Sequence, residues 1–296
     1  MSRDWSALAA ALAAATGARV ACAPAAAVRG GCIHAAWRWR AGTDTLFVKT
    51  SPADRAPLLA AEARGLAALA TAAAVRVPRV VAHGVAGDDA WLALEWLDLA
   101  APAPAAEARL GEALAALHRV RAPAFGFESD NFIGSTPQAN AWSADWVEFL
   151  RERRLRPQLA LAARNGAPAA LVDRGELLLD CLGVFYSSYR PAPSLLHGDL
   201  WSGNRAATRD GEPVVYDPAP YYGDREADLA MTRLFGGFGP RFHAAYAAAW
   251  PLDAAAGYRR DLHNLYHVLN HLNLFGGSYA AQAEAMIDGL LAEAGR

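Results

Sequence analysis

In the run HGDLWSGN, Asp199 and Asn204 stand five residues apart, and Asp217 follows thirteen residues later in VVYDP. An acid and an amide at that spacing suit phosphoryl transfer. The acid accepts the proton of an attacking hydroxyl, and the amide oxygen binds a magnesium ion. A second acid at a strand end is the hard carboxylate that bridges Mg2+ to nucleotide phosphates. Such a site also needs a compact cation near those phosphates. Of the 28 lysines and arginines, 27 are arginine, and the single lysine, Lys49, lies in the strand-like run TLFVKTS. An ammonium on a flexible stem reaches phosphates from a strand where a planar fork fits less well. Glu62 is the acid well inside the helical run that follows, and it is placed to aim Lys49, whereas Asp54 comes too early.

The patterning around these residues predicts the elements that hold them. Residues 20 to 50 read as short strands, with AGTD a hairpin turn between two β-rich runs, so Lys49 falls near the end of a third strand. DRAPLLAAEARGLAALAT has helical apolar spacing, and RVPRVVAHGVAGDDAWLALEWLD reads as two more strands. Five strands and one main helix make a small lobe over residues 1–97. Beyond Leu97, over residues 98–296, long helical runs dominate, among them WSADWVEFLRERRLRPQLALAARNG. They are interrupted by the turn-rich FGFESDNFIGSTPQAN and by SLLHGDLWSGN…DPAPYYGDREADLA, where short strands flank a polar loop.

Composition narrows the partners. A chain of 296 residues, 54% hydrophobic, buries a sizeable core. A net charge of −2 supplies no basic field, which argues against nucleic acid and acidic membrane surfaces. Cys22, Cys32 and Cys181 are odd in number and widely separated, so neither a disulfide framework nor a zinc site is expected, and a reducing cytoplasm suits them. MSRDWSALAAALAAATG reads as a surface helix ended by Gly17 rather than an export signal, and no run has the roughly 18 apolar residues of a membrane span.

Taken together, GGCIH, FVK, LEWL, FGFESDNFIGSTPQAN, RLRPQLALA, LLHGDLWSGN, DPAPYYGDREADLAMTRLFGGF and LYHVLNHLNLFGGSY resemble the protein-kinase-like superfamily, and within it the fructosamine kinase and ketosamine-3-kinase family. The resemblance runs nearly end to end, and WSGN, YYGDREADLA and STPQAN are its discriminating pieces. It implies an α+β, two-lobed protein-kinase-like fold with an antiparallel N-terminal β lobe and a larger helical C-terminal lobe. It further implies Asp199 as catalytic base, Asn204 and Asp217 as Mg2+ ligands, and Lys49 with Glu62 as the phosphate-orienting pair. Glu95, Trp96 and Leu97 become a hinge whose backbone receives adenine, Gly31 and Cys32 lie against the nucleotide, and Asp228 anchors the catalytic loop. ATP and Mg2+ are the implied cofactors. The implied acceptor is the O3 hydroxyl of a ketosamine, free or on a glycated lysine side chain, whose phosphorylation leads to deglycation. The alternatives are an aminoglycoside- or choline-type hydroxyl phosphotransferase and a nucleotide-binding pseudokinase.

Two departures from regulated kinases stand out. Gly198 replaces the arginine that pairs with a phosphorylated activation loop, and Pro218 and Ala219 follow Asp217, so that strand end should be stiffer. Cys32 beside a nucleotide raises oxidative inhibition through an intermolecular disulfide, giving a monomer or a redox-dependent dimer, against the commoner reading of a small buried thiol. His263, His267 and His271 recur at helical spacing but lack the glutamate of a zinc protease, and a polar packed helix is expected. Trp201 either contacts the acceptor sugar or wedges the catalytic loop against the core, His197 is a structural hydrogen-bonding residue, and RERRLR is a solvated helix face with a docking role left open.

Overall fold

The computed structural model describes residues 3–28 and 34–296. Gly31 and Cys32, expected beside the nucleotide, lie outside those residues. Helix α1 (Ser6–Thr16) ends at Gly17, whose φ of 66° is the left-handed closure that the sequence suggested. Strands β1 (Ala26–Val28), β2 (Ala35–Ala41) and β3 (Asp44–Pro52) follow, then α2 (Ala56–Ala72), β4 (Val80–Ala86) and β5 (Asp89–Glu95). They form one antiparallel sheet in the order β1-β2-β3-β5-β4. The AGTD run makes the β2–β3 hairpin, with Ala41 paired to Asp44.

Strand alternation gives this sheet two apolar faces. Trp91 and Ala93 of β5 pack with Trp39, Val48 and the α1 residues Leu8 and Leu12. Leu92 and Leu94 face the other way, onto Leu59, Leu66 and Leu69 of α2. Lys49 is the cross-strand partner of Leu92 and shares this second face, so the lysine looks at α2. The core beneath α2 continues into the remainder of the chain without a break.

That remainder is mostly helical. It holds β6 (Leu99–Ala100), α3 (Pro104–His118), the hairpin β7 (Asn131–Ile133) and β8 (Thr136–Gln138), α4 (Trp146–Phe149), α5 (Arg156–Arg164) and α6 (Ala169–Cys181). Then come β9 (Ser194–Leu195), β10 (Arg205–Thr208), β11 (Pro213–Val215), β12 (Tyr222–Gly223), α7 (Glu226–Leu234), α8 (Pro240–Ala249), α9 (Ala256–Phe275) and α10 (Tyr279–Glu293). The short strands place the polar loops. β10 starts right after Asn204 and pairs with β6 and β11, while β11 ends two residues before Asp217. β9 leads into Asp199 and pairs with β12.

The RERRLR segment departs from the expected solvated face. Leu150–Leu155 winds as a wide π-helical turn, and Arg154 is buried. Pro157 has no N–H to offer the carbonyl of Arg153, and Arg154 Nη1 donates to that carbonyl at 2.9 Å instead. The same guanidinium donates to Ala139 O and Asn140 Oδ1 and lies 4.0 Å over the Tyr221 ring.

Helix α2 rests on the chain that follows Asp217. A Cβ built on Gly65 would come within 2.9 Å of Pro220 Cδ and 3.4 Å of Pro218 Cγ, and Gly65 lies one turn beyond Glu62. Both the Lys49 partner and the Asp217 segment thus depend on the seating of one helix face. Gly65→Val is expected to lower stability by about 2 kcal/mol through overpacking. Denaturant unfolding checks this, and wild-type stability would show that α2 is not seated on these prolines.

Candidate active site

Lys49, buried on β3, reaches Glu62 Oε1 at 2.7 Å and Asp217 Oδ1 at 2.5 Å, so a strand, a helix and a loop meet on one ammonium. Burial opposes its charge, but the two carboxylates outweigh burial and hold its pKa above the ordinary value. Two acids share that one cation unequally. Burial pushes Glu62 up to about 7 against the pull of Lys49. At Asp217 the lysine overcomes burial and keeps the carboxyl below its usual range. Asp217 has φ +55°, a left-handed conformation that costs a non-glycine residue of order 1 kcal/mol, and from it the carboxylate faces Lys49.

Asp199 and Asn204 are brought together by the loop between β9 and β10. The Asn204 amide nitrogen donates to Asp199 O at 2.9 Å, to Asp199 Oδ2 at 3.1 Å and to Asp217 O at 3.4 Å. That orientation leaves Asn204 Oδ1 and Asp217 Oδ2 without hydrogen bonds among the described residues. Two open hard oxygens of this kind are a donor set that fits Mg2+. Burial, and after it the nearby Asp217 charge, push the Asp199 pKa up to about 7, a value matched to a proton acceptor working near neutrality.

The loop is held from beneath by Asp228 of α7. Its carboxylate accepts the N–H of His197 at 2.7 Å, the N–H of Gly198 at 2.9 Å and Nε2–H of His118 at 3.1 Å. Burial alone would raise its pKa, but these bonds and the facing histidines keep it lowered. His197 is kept neutral by burial, donating Nε2–H to Tyr216 O at 3.1 Å, which is a structural task. Gly198 has φ +82°, and a Cβ there would sit 2.0 Å from Ala219 O. No arginine fits at that position, so the glycine is a steric requirement of the two crossing loops.

The segment FGFESDNFIGSTPQAN clamps the other side. Asn131 Nδ2 donates to Pro220 O at 2.8 Å, and Gln138 Nε2 donates to Ala219 O at 3.2 Å and to Asn131 Oδ1 at 2.7 Å. Tyr266 of α9 donates to Gln138 Oε1 at 2.7 Å. The chain after Asp217 is therefore tied by side-chain amides as well as by its prolines. Asn131 and Gln138 went unassigned in the sequence, and the amide-rich hairpin itself was the signal.

At the end of β5, where the hinge is expected, the N–H groups of Glu95 and Trp96 are already spent, on Arg79 O at 3.0 Å and Thr45 O at 3.2 Å. The Glu95 carboxylate accepts from Arg76 and from the Arg79 N–H. Of the three expected residues, Leu97 is then the one whose N–H is open among the described residues. Trp201 curls back over Gly203, where a Cβ would come within 2.3 Å of the ring, and it meets Phe235 edge-on at 6.4 Å, with 37% of its surface exposed. His263 and His267 are buried in α9. His263 lies with Asp224 and Glu226 in a tight buried group, but Glu226 is taken by both guanidinium arms of Arg259 at 2.8 and 2.9 Å.

Comparison with known proteins places this geometry. The model of the family described as fructosamine kinase matches residues 4–293. A "probable ketoamine kinase" of Synechocystis sp. is 44% identical over 265 residues, covering 88% of each chain. The chloroplastic protein-ribulosamine 3-kinase of Arabidopsis thaliana is 40% identical, over 89% of this chain and 81% of the relative. A crystal structure from Thermobifida fusca, described as a fructosamine-3-kinase, superposes with a TM-score of 0.85 at 36% identity over 97% of this chain and 99% of that one. An aminoglycoside phosphotransferase bound to ADP and hygromycin B superposes at 0.68 with 14% identity, over 97% of this chain and 98% of that one, a likeness of fold alone.

The partly buried Asp199 carboxylate has a consequence for stability in the absence of nucleotide and metal. Its folded pKa of about 7 lies above the ordinary value of 3.8. Below that lower value the group is protonated in both states and contributes nothing. Between about pH 4 and 7 the folded state holds the extra proton, so stability falls as pH rises through this window. Asp199→Asn mimics the protonated form. It is expected to raise the melting temperature at pH 8 and to leave it nearly unchanged at pH 4.5, as thermal denaturation in EDTA would show.

Proposed function

We propose that this chain, which belongs to the fructosamine kinase family, transfers the γ-phosphoryl group of ATP to the O3 hydroxyl of a ketosamine, the sugar-amine adduct of a small amine or of a lysine side chain. The observation that carries the reading is the joint placement of Lys49, Glu62, Asp199, Asn204 and Asp217, together with relatives named for ketoamine and protein-ribulosamine phosphorylation. The fold is that of a kinase, and ATP is the expected donor.

In this reading Asp199 accepts the proton of the attacking hydroxyl and aligns its oxygen, with a pKa near working pH. Lys49 leaves Asp217 for the phosphates while Glu62 keeps its ammonium aimed. Asn204 Oδ1 and the Asp217 carboxylate would hold Mg2+, which when bound neutralises developing charge on the transferring group. Leu97 offers the free hinge N–H to adenine, and Glu95 and Trp96 shape the strand end. Trp201 and Phe235 form an aromatic flank beside Asp199, suited to the carbon face of a sugar adduct. Catalysis is then mainly positioning and charge neutralisation. A cytoplasmic setting suits an ATP-dependent enzyme whose described cysteines, Cys22 and Cys181, are unbridged. No helix among the described residues is long and apolar enough to cross a membrane.

A panel of ribulosamine, fructosamine, aminoglycoside and choline-type acceptors tests the reading, with ribulosamine or fructosamine expected to be phosphorylated at least a hundredfold more efficiently than the others, roughly 3 kcal/mol of discrimination. Preference for an aminoglycoside would overturn the acceptor. Asp199→Asn is expected to bind ATP normally and to lose turnover by about 10^3-fold or more. Lys49→Arg is expected to lose turnover as well, because the fork misplaces the phosphates, and retained activity in either variant would refute its role.

A further inference from the structure

His34 is the first described residue after Gly30 and Gly31, and its ring does not point idly. Ala36 of β2 is the cross-strand partner of Lys49, and the register puts His34 opposite Ser51. With side chains alternating along each strand, His34, Ala36, Lys49 and Ser51 share one face, the face that looks toward Asp217. His34 Nδ1 and Ser51 Oγ share a hydrogen bond of 2.5 Å. Nε2 has no partner among the described residues. The ring is half-buried, and Lys49, Arg55 and Asp217 all act on its charge, with burial and then the lysine pushing its pKa down to about 4. An imidazole set among cations is poorly placed for itself and well placed for an anion.

The bond to Ser51 is not needed to hold the two strands. Backbone pairing runs from Ala35–Thr50 to Ala41–Asp44, and on the opposite face Trp37 Nε1 already donates to Thr50 Oγ1 at 2.9 Å. We propose that His34 is a second phosphate contact of the nucleotide site, donating a ring N–H to the polyphosphate beside Lys49, with Ser51 as its resting partner. The inference rests on the phosphotransferase reading above and adds to it a residue on β2. The phosphate end of the nucleotide is then gripped from two strands of the sheet, by an ammonium from β3 and an imidazole from β2.

Equilibrium binding of ATP, ADP and adenosine to the full chain, wild type against His34→Ala and Ser51→Ala, tests it. His34→Ala is expected to weaken ATP and ADP about tenfold, the loss of one hydrogen bond to a charged group, and to leave adenosine within twofold. Ser51→Ala is expected to leave all three within twofold. Unchanged ATP affinity in His34→Ala overturns the inference and leaves the phosphotransferase reading intact. So does an equal loss of ATP and adenosine in both variants, the outcome if the pair merely ties β2 to β3. Wild-type protein that binds no ATP would overturn the phosphotransferase reading itself, and this inference with it.

Discussion

One buried ammonium held between two carboxylates organises this protein. Removing the Lys49 and Glu62 charges from water costs several kcal/mol per ion unless each finds an opposite charge and hydrogen bonds. Lys49, Glu62 and Asp217 come from β3, α2 and the loop after β11, so the arrangement persists only while all three elements are in register. The charge count is deliberately unbalanced. Two acids face one cation, and one of them, Glu62, ionises reluctantly, chiefly because it is buried and secondarily because Asp217 is near. A bound polyphosphate would draw Lys49 from Asp217 and free that carboxylate for a metal. In the proposed reading the ion pair occupies atoms that the reaction would use and keeps them oriented.

The rest of the site is built to stay where it is. Asp228 holds two successive N–H groups of the catalytic loop, and Ala219 O occupies the space above Gly198. Asn131 and Gln138 hold the next carbonyls along, and α2 lies on Pro218 and Pro220. Apart from the Asp228 bonds, these contacts all fall on one short stretch, residues 218–220. A segment restrained by two prolines, two amides and a helix face has few alternative conformations to lose, so the left-handed strain at Asp217 is easily borne. Regulated kinases gain a switch by leaving this region mobile. Here the geometry favours permanent assembly.

Much of this was legible from residue types and spacing. The acid and amide five residues apart, the single lysine in a strand, and one acid inside the following helix are local patterns, and local patterns survive reading one position at a time. The β2–β3 hairpin and the glycine closure of α1 were legible for the same reason, because turn chemistry is short-range. What escaped was set by partners distant in sequence. RERRLR reads as a charged solvated face, yet Arg154 is buried because Pro157 forces a wide turn and rings from Phe149 and Tyr221 receive the guanidinium. The expected hinge falls at the β5 end, and that two of its three N–H groups are engaged depends on Arg79 and Thr45, which no local pattern shows. His34 carried no signal at all, because its meaning lies in the strand register that sets it beside Lys49.

The division between what charges fix and what shape fixes bears on substrate choice. The fold alone does not select an acceptor, since an aminoglycoside phosphotransferase shares it at 14% identity. Phosphate handling needs a cation, a metal donor set and a base, and those requirements are the same whichever hydroxyl is attacked. Selectivity must come from surfaces that meet the acceptor and not the nucleotide. Next to Asp199 the chain offers Trp201 and Phe235, and beyond them His271, whose ring lies 4.9 Å from Phe235. A row of flat, partly exposed rings grips the carbon skeleton of a sugar adduct through contact area and places few charges near it. A polycationic acceptor would call for acids on that same flank. An aromatic flank of this kind suits the proposed acceptor, a neutral sugar hydroxyl presented to Asp199, better than it suits a polycation.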